Sequence, residues 1–213
     1  MVQNLVIYGA GGMAAETAFL VKEINDVKPT FNLVSHVVDD EWFEENQQLY
    51  GIPVRRRSWL IENKDFVVCS CALGYPQQRK KIQESLIEEK VRFTNLIHPS
   101  VKIYQDVSIG NGCIFGLQSL VSSGCRIGDG VVLGGVVHIG HDSTLGNYVT
   151  CFTKSQISGK VTIDTGTLIG AMAFVNERKK IGHNAVVAPG SVVFNNVKSN
   201  THVMGNPARK VEL

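Results

Sequence analysis

The chain carries almost no surplus of charge: 21 Lys and Arg against 19 Asp and Glu leave a formal net charge of +2 over 213 residues. So small a balance gives no electrostatic footprint for a nucleic acid or a membrane surface. No apolar run approaches the ~18 residues of a membrane span. The opening MVQNLVIYG lacks the charged region, long apolar core and small-residue cleavage site of a signal peptide, and reads as a first strand. A cysteine framework is missing too. Cys69, Cys71, Cys113, Cys125 and Cys151 are odd in number, contain no C-x-x-C and have no histidine at ligand spacing. That argues against disulfides and a zinc site, so no metal is expected and the thiols are expected to be buried and reduced, in a cytoplasmic protein.

A hydrophobic content of 44% with 19% charged residues is ordinary for a globular chain. Residues 1–98 alternate strand-like and helix-like segments. Asn4 to Tyr8 is a short apolar strand running into Gly9, Ala10, Gly11 and Gly12. Ala14, Ala18, Val21 and Ile24 then recur at helical spacing. Phe31 to Val38 reads as a second strand ending in Asp39 and Asp40, and Phe66 to Leu73 as a third, apolar enough for burial on both faces. Gln77 to Lys90 is an amphipathic helix, and Val91 to Ile97 returns to strand. This order predicts a small α/β domain with a parallel sheet.

From Val101 onward no helical period can be drawn. Every sixth residue from Ile103 to Val193 is apolar instead, sixteen positions in one unbroken frame that includes Ile139, Leu145 and Cys151. The residue after each is often glycine, as at Gly110, Gly128, Gly140 and Gly146, and the residue two before is commonly small or β-branched. Two inward side chains per hexad, with a small residue where the chain bends, predict a coil whose turns stack as a β-solenoid.

These hexads, with the ending Gly205, Asn206, Pro207, Ala208, Arg209, resemble the hexapeptide-repeat acyltransferases. With the α/β half included, the whole chain resembles the PglD/NeuD-like family of bacterial sugar acetyltransferases. The resemblance implies a Rossmann-like sugar-nucleotide domain over 1–98 and a left-handed parallel β-helix over 99–213. It also implies an acetyl-CoA co-substrate, a nucleotide-linked amino sugar as acceptor for surface-glycan or glycoprotein synthesis, and a homotrimer with active sites between subunits. O-acetylation of a sialic-acid-type sugar is the near alternative.

Gly9 to Ala14 also satisfies a loose G-x-G-x-x-A dinucleotide fingerprint after a strand. The acidic ribose ligand expected ~20 residues further on is not in place, since Asp39 lies 28 residues beyond Gly11. The repeat array argues against an NAD-linked oxidoreductase. By resemblance, Ala10, Gly11, Gly12, Asp39, Asp40 and Gly74 match the sugar-nucleotide contacts. Met13 and the pair Tyr75-Pro76 depart from the family pattern and bear on which sugar is bound.

His141 and Asp142 fall at a coil corner just after Ile139 and Gly140, where the core needs neither. The resemblance matches them to a general base and its carboxylate partner; a non-catalytic solenoid scaffold would need neither. Gly159, one coil of 18 residues further on, leaves space beside the imidazole and by resemblance supplies an oxyanion donor. Thr150 stands where many relatives carry a second histidine toward acetyl-CoA, and Ala171 and Pro189 match the rest of the CoA groove. His138 and His98 read as structural and His183 as a solvated corner. The basic runs Arg55 to Arg57, Arg79 to Lys81 and Arg178 to Lys180 read as solvated surface, the last a candidate phosphate contact.

Overall fold

The computed structural model describes residues 2–212. Its first part is a five-stranded sheet in the order β3-β4-β2-β1-β5. The strands are β1 (Gln3–Tyr8), β2 (Phe31–Val38), β3 (Gln48–Leu49), β4 (Ile52–Arg56) and β5 (Val68–Cys71). All pair in parallel except the β3-β4 hairpin. Three helices accompany them, α1 (Gly12–Val27), α2 (Arg57–Glu62) and α3 (Pro76–Glu88). Leu5, Ile7, Ala14, Leu20 and Val21 pack between the sheet and α1, while Val6, Tyr8, Leu60, Cys69 and Leu86 form the core on the other face. The third strand is Val68–Cys71, shorter than expected, inside a buried run from Val67 to Ala72, and Phe66 before it is exposed.

Two sequence expectations fail here. Val91 to Ile97 is not one strand: Phe93 makes a single bridge to Cys69, and Leu96–Ile97 already pairs with Ile114–Phe115 of the solenoid. The run Arg55 to Arg57 is not simply solvated. It closes β4 and opens α2, with Arg55 4.4 Å above the Trp59 ring, Arg56 4.7 Å from that of Phe43, and Arg57 bonded to Ser85 Oγ at 2.6 Å.

The rest of the chain is a triangular coil of two-residue strands forming three parallel faces. The first face runs through Lys102–Ile103, Leu120–Val121, His138–Ile139, Gln156–Ile157, Phe174–Val175 and Val192–Val193. The second holds Ser108–Ile109, Arg126–Ile127, Thr144–Leu145, Thr162–Ile163 and Lys180–Ile181. The third holds Leu96–Ile97, Ile114–Phe115, Val132–Leu133, Thr150–Cys151, Leu168–Ile169 and Val186–Val187, closed by the hairpin His202–Gly205 and Ala208–Val211. The frame residues are buried throughout except Ile103 and Ile109, which are half-covered in the first coil because no coil lies beneath them. Each fully buried Ile, Leu or Val stabilises the fold by ~1.5–3 kcal/mol. Inward hydroxyls pair with carbonyls of the neighbouring coil at two positions, Ser119 Oγ donating to Gly134 O at 2.8 Å and Thr167 Oγ1 to Gly182 O at 2.8 Å, while buried Ser155 Oγ has no partner among the described residues.

The glycine after each core residue does not make the bend. The left-handed residue comes two positions later, every sixth residue from Gly112 to Gly190, and includes Val136 (φ 61°), Asp142 (φ 57°) and Tyr148 (φ 60°). Glycine is required one step after the core for a different reason. At Gly140 a Cβ would stand 2.6 Å from the backbone of Ser158 and Gly159 in the next coil, and at Gly170 2.4 Å from Pro189 N. Close approach between coils, not backbone freedom, selects it.

Candidate active site

His141 and Asp142 project from the corner between the first and second faces, both exposed. Their backbone is fixed from both sides. Asp142 N donates to Ser123 O below at 2.9 Å, and His141 O accepts from Lys160 N above at 2.8 Å. Buried Ser143 ties the same corner to the next coil, donating to Ser158 O at 3.1 Å and accepting from Val161 N at 3.1 Å. Asp142 takes the left-handed conformation that aspartate tolerates better than most residues. This turns its Oδ2 to within 2.9 Å of His141 Nδ1.

That contact assigns the proton of a neutral imidazole to Nδ1 and leaves Nε2 as the free basic nitrogen. The hydrogen bond from His141 holds the Asp142 carboxyl below the usual carboxylate range, and Lys160 adds to this. Gly159 lies against the ring: a Cβ there would be 2.5 Å from Nε2. Its N–H makes no hydrogen bond among the described residues. Gly124 makes similar room on the other side, where a Cβ would stand 2.5 Å from Asp142 Oδ1.

A second cluster forms where β1 runs into α1. Gly9 (φ 123°) sits against Ala72 O, while a Cβ on Gly11 or Gly12 would meet nothing within 4 Å, so this turn is open. Gly11 caps α1 without a side-chain bond. Gly74 joins the turn, 3.7 Å from Met13 Sδ as measured from a built Cβ. Gly74 and Met13 both line a cavity of about 530 Å³ between α1 and the corner joining the third and first faces, with Phe19, Leu117, Val136 and Phe152 among its walls. Asp39 and Asp40 lie at the end of β2 with partners of their own. Asp39 accepts from the Tyr8 hydroxyl and lies 3.6 Å from Arg57, and Asp40 accepts from Ser58 N at 3.0 Å, which lowers its pKa. Desolvation, aided by Asp39, pushes the Tyr8 hydroxyl's pKa up.

Ala171 and Pro189 stack on the third-to-first corner above that cavity, where Gly190 N donates to Ala171 O at 2.8 Å. Thr150 is on neither corner. It is fully buried under the α/β domain, donating to Gly74 O at 2.9 Å and accepting from Arg79 Nη2 at 2.8 Å. This corrects the expectation that it faces acetyl-CoA: its hydroxyl is consumed inside the chain. His98 is 3.2 Å from Glu23 and bonded to Ser100, His138 lies on the first face 3.5 Å from Ser122 Oγ, and His183 is exposed.

Arg79 is a further residue whose place differs from the sequence expectation. Far from being solvated, it has no exposed surface. Nε donates to Gly130 O (2.8 Å), Nη1 to Leu73 O (2.6 Å) and Gly74 O (3.2 Å), and Nη2 to Tyr148 O (2.8 Å), Val149 O (3.4 Å) and Thr150 Oγ1 (2.8 Å). Burial pushes its pKa down to about 10. A run of three bases carries no sequence signal that one of them is buried. The only hint is its place three residues after Pro76, on the first turn of a helix.

Among the described residues no helix is long and apolar enough to cross a membrane, and no group of three or more His, Cys, Asp or Glu could hold a metal.

An α/β domain followed by a three-faced coil of six-residue turns, with a His-Asp pair at one corner, defines the fold of this chain. Residues 4–86 match the model of the PglD N-terminal domain. The whole chain is similar in structure to a histidine-to-asparagine variant of perosamine N-acetyltransferase from Caulobacter crescentus, in complex with CoA and GDP-perosamine. The TM-score is 0.89 at 21% identity, covering 100% of this chain and 98% of that one. It is also similar to the acetyltransferase domain of PglB from Neisseria gonorrhoeae in complex with acetyl coenzyme A, with TM-score 0.87 and 22% identity over 99% and 100% of the two chains. In sequence it is 32% identical over 119 residues to serine acetyltransferase 2 of Arabidopsis thaliana, 55% of this chain. The match spans 32% of that relative's length, about a third. Residues 4–86 thus match the PglD N-terminal domain, and the whole chain shares the two-part fold of these solved structures.

Proposed function

We propose that this protein transfers the acetyl group of acetyl-CoA to the amine of a nucleotide-linked amino sugar. The observation that carries the reading is the imidazole of His141, fixed at Nδ1 by Asp142, with Nε2 free beside Gly159 at a corner the core does not need. In this reading His141 Nε2 takes the proton of the amine as its nitrogen attacks the thioester carbonyl. A positioned general base contributes ~10²–10⁴-fold in such a step. Asp142 holds the tautomer and stabilises the imidazolium that forms. Gly159 N–H offers a hydrogen bond to the tetrahedral oxyanion. As the C–S bond breaks, the imidazolium returns its proton to the departing thiolate, which restores the neutral base. No acyl-enzyme is needed.

The nucleotide end of the acceptor belongs to Ala10, Gly11, Gly12 and Gly74, and Ala171 and Pro189 serve the CoA groove. Asp39 contributes through the Tyr8 and Arg57 network, with Asp40 holding the start of α2. The α/β domain packs on the third face, through Ile114 and Val132, whereas the His141 corner is the one that does not border it. One chain thus separates its base from its own cavity. The first face has the cavity corner at one edge and the His141 corner at the other. A three-fold ring built on first faces would set the base of one copy against the cavity of the next, the heterologous contact that closes a ring. We therefore read the active enzyme as a homotrimer, acting in the cytoplasm where thiols stay reduced.

The test is to incubate the protein with acetyl-CoA and a panel of UDP-, GDP- and dTDP-linked amino sugars and their hydroxyl counterparts, following thiol release and product mass. Acetylation of at least one amine is expected. CoA release without an acetylated sugar, or none with any acceptor, contradicts the reading.

A further inference from the structure

Arg79 presents an unusual electrostatic arrangement: a guanidinium without exposed surface whose bonds all go to neutral oxygens, five backbone carbonyls and one hydroxyl. A buried charge is costly unless every donor is used. Here the fork geometry of arginine reaches two places at once. Nε and Nη2 grip the solenoid at Gly130, Tyr148, Val149 and Thr150, and Nη1 grips Leu73 and Gly74 at the end of β5. Thr150 Oγ1 completes the triangle by donating to Gly74 O at 2.9 Å.

The consequence for Leu73 and Gly74 follows from peptide geometry. In a trans peptide the C=O and the N–H of the same plane point in opposite directions. The Leu73 carbonyl shares its plane with the Gly74 N–H, and the Gly74 carbonyl shares its plane with the Tyr75 N–H. Both carbonyls point at the guanidinium, so both N–H groups point away from it. Neither N–H makes a hydrogen bond among the described residues. Gly74 lines the cavity together with Met13 of the glycine turn.

We propose that Arg79 is a positioning residue that locks the 73–75 turn so that the N–H groups of Gly74 and Tyr75 form an anion-binding pair for the diphosphate of the nucleotide sugar. The inference rests on the acceptor class proposed above. Its chemistry is indirect: Arg79 touches no phosphate, but its grip on the two carbonyls decides which way the donors face. Lysine at this position would keep the charge and lose the fork.

The test compares wild type with Arg79→Met and Arg79→Lys. We expect the methionine variant to raise KM for the nucleotide sugar by at least ~10-fold, the scale of a small misplacement of a binding group, with KM for acetyl-CoA within about 2-fold. The lysine variant should recover part of the loss. A merely structural arginine would move both KM values together; that result, or an unchanged nucleotide-sugar KM, overturns the proposal. Thr150→Val serves if Arg79→Met does not fold. It removes one partner of the guanidinium and of Gly74 O, and should raise the nucleotide-sugar KM alone by about 3-fold; no change overturns the proposal.

If wild type acetylates no nucleotide amino sugar, the functional reading fails separately. Titration calorimetry with UDP, GDP and dTDP then decides this inference. Binding of one of them, weakened at least ~10-fold in Arg79→Met, supports it, and no binding to wild type, or equal binding by the variant, overturns it.

Discussion

The imidazole of His141 lies so close to Gly159 of the next coil that a Cβ on Gly159 would stand 2.5 Å from Nε2. Gly159 has no left-handed φ, so alanine is tolerated by its backbone and intrudes only on the ring. We expect Gly159→Ala to lower kcat by ~10²-fold, the scale of a displacement of about 1 Å at a reacting group. Its melting temperature should stay near that of wild type. A full kcat would show that the ring does not act from this position.

Asp142 combines two demands, a carboxylate on Nδ1 and a left-handed φ of 57°. Asparagine keeps the second and loses the charge. Asp142→Asn should therefore melt like wild type but lose at least ~10-fold in kcat, less than the ~10⁴ of a buried triad carboxylate because this pair is exposed. Asp142→Ala adds backbone strain of ~1–2 kcal/mol, visible as an additional loss of stability in thermal or denaturant unfolding.

Much of this was legible in the amino acids. The six-residue frame marks the core positions of the solenoid, and the His-Asp pair stands out because the coil has no use for it. The glycines were visible but their reason was not, since coil-to-coil approach is a property of stacking rather than of any single turn. Arg79 and Thr150 could not be read for a related reason. Their partners lie up to 76 residues away in sequence, as with Thr150 and Gly74, and nothing local says which face of the coil the α/β domain covers. The His141 corner and the glycine turn sit on different sides of one chain.

His36 is fully buried beneath the glycine turn, with Nδ1 3.2 Å from Gly9 O, and desolvation lowers its pKa. In the unfolded chain it returns to the ordinary 6.5. The unfolded state then binds more protons below that value, so this contribution to stability is complete above it and is lost as the pH falls. Wild type should lose stability between about pH 7 and about pH 5, and His36→Gln should lose less over the same interval. Parallel curves for the two proteins would assign the acid sensitivity elsewhere.

All five cysteines are free and buried. Burial pushes the thiols of Cys71, Cys113 and Cys151 up to about 12. Thiolate is the reactive species, so an aromatic disulfide reagent should titrate none of them in the native protein and all five after unfolding. Rapid native labelling would contradict their placement, and silence also makes the reagent suitable for following CoA release.

The central claim is that His141 Nε2 removes the proton of the attacking amine. Its most direct test is the steady-state rate of acetyl transfer by His141→Asn against wild type, at saturating acetyl-CoA and acceptor. Asparagine retains polarity but cannot accept the proton at neutral pH. The account predicts a fall of at least ~10² in kcat with both KM values nearly unchanged. A variant that turns over at close to the wild-type rate would contradict it.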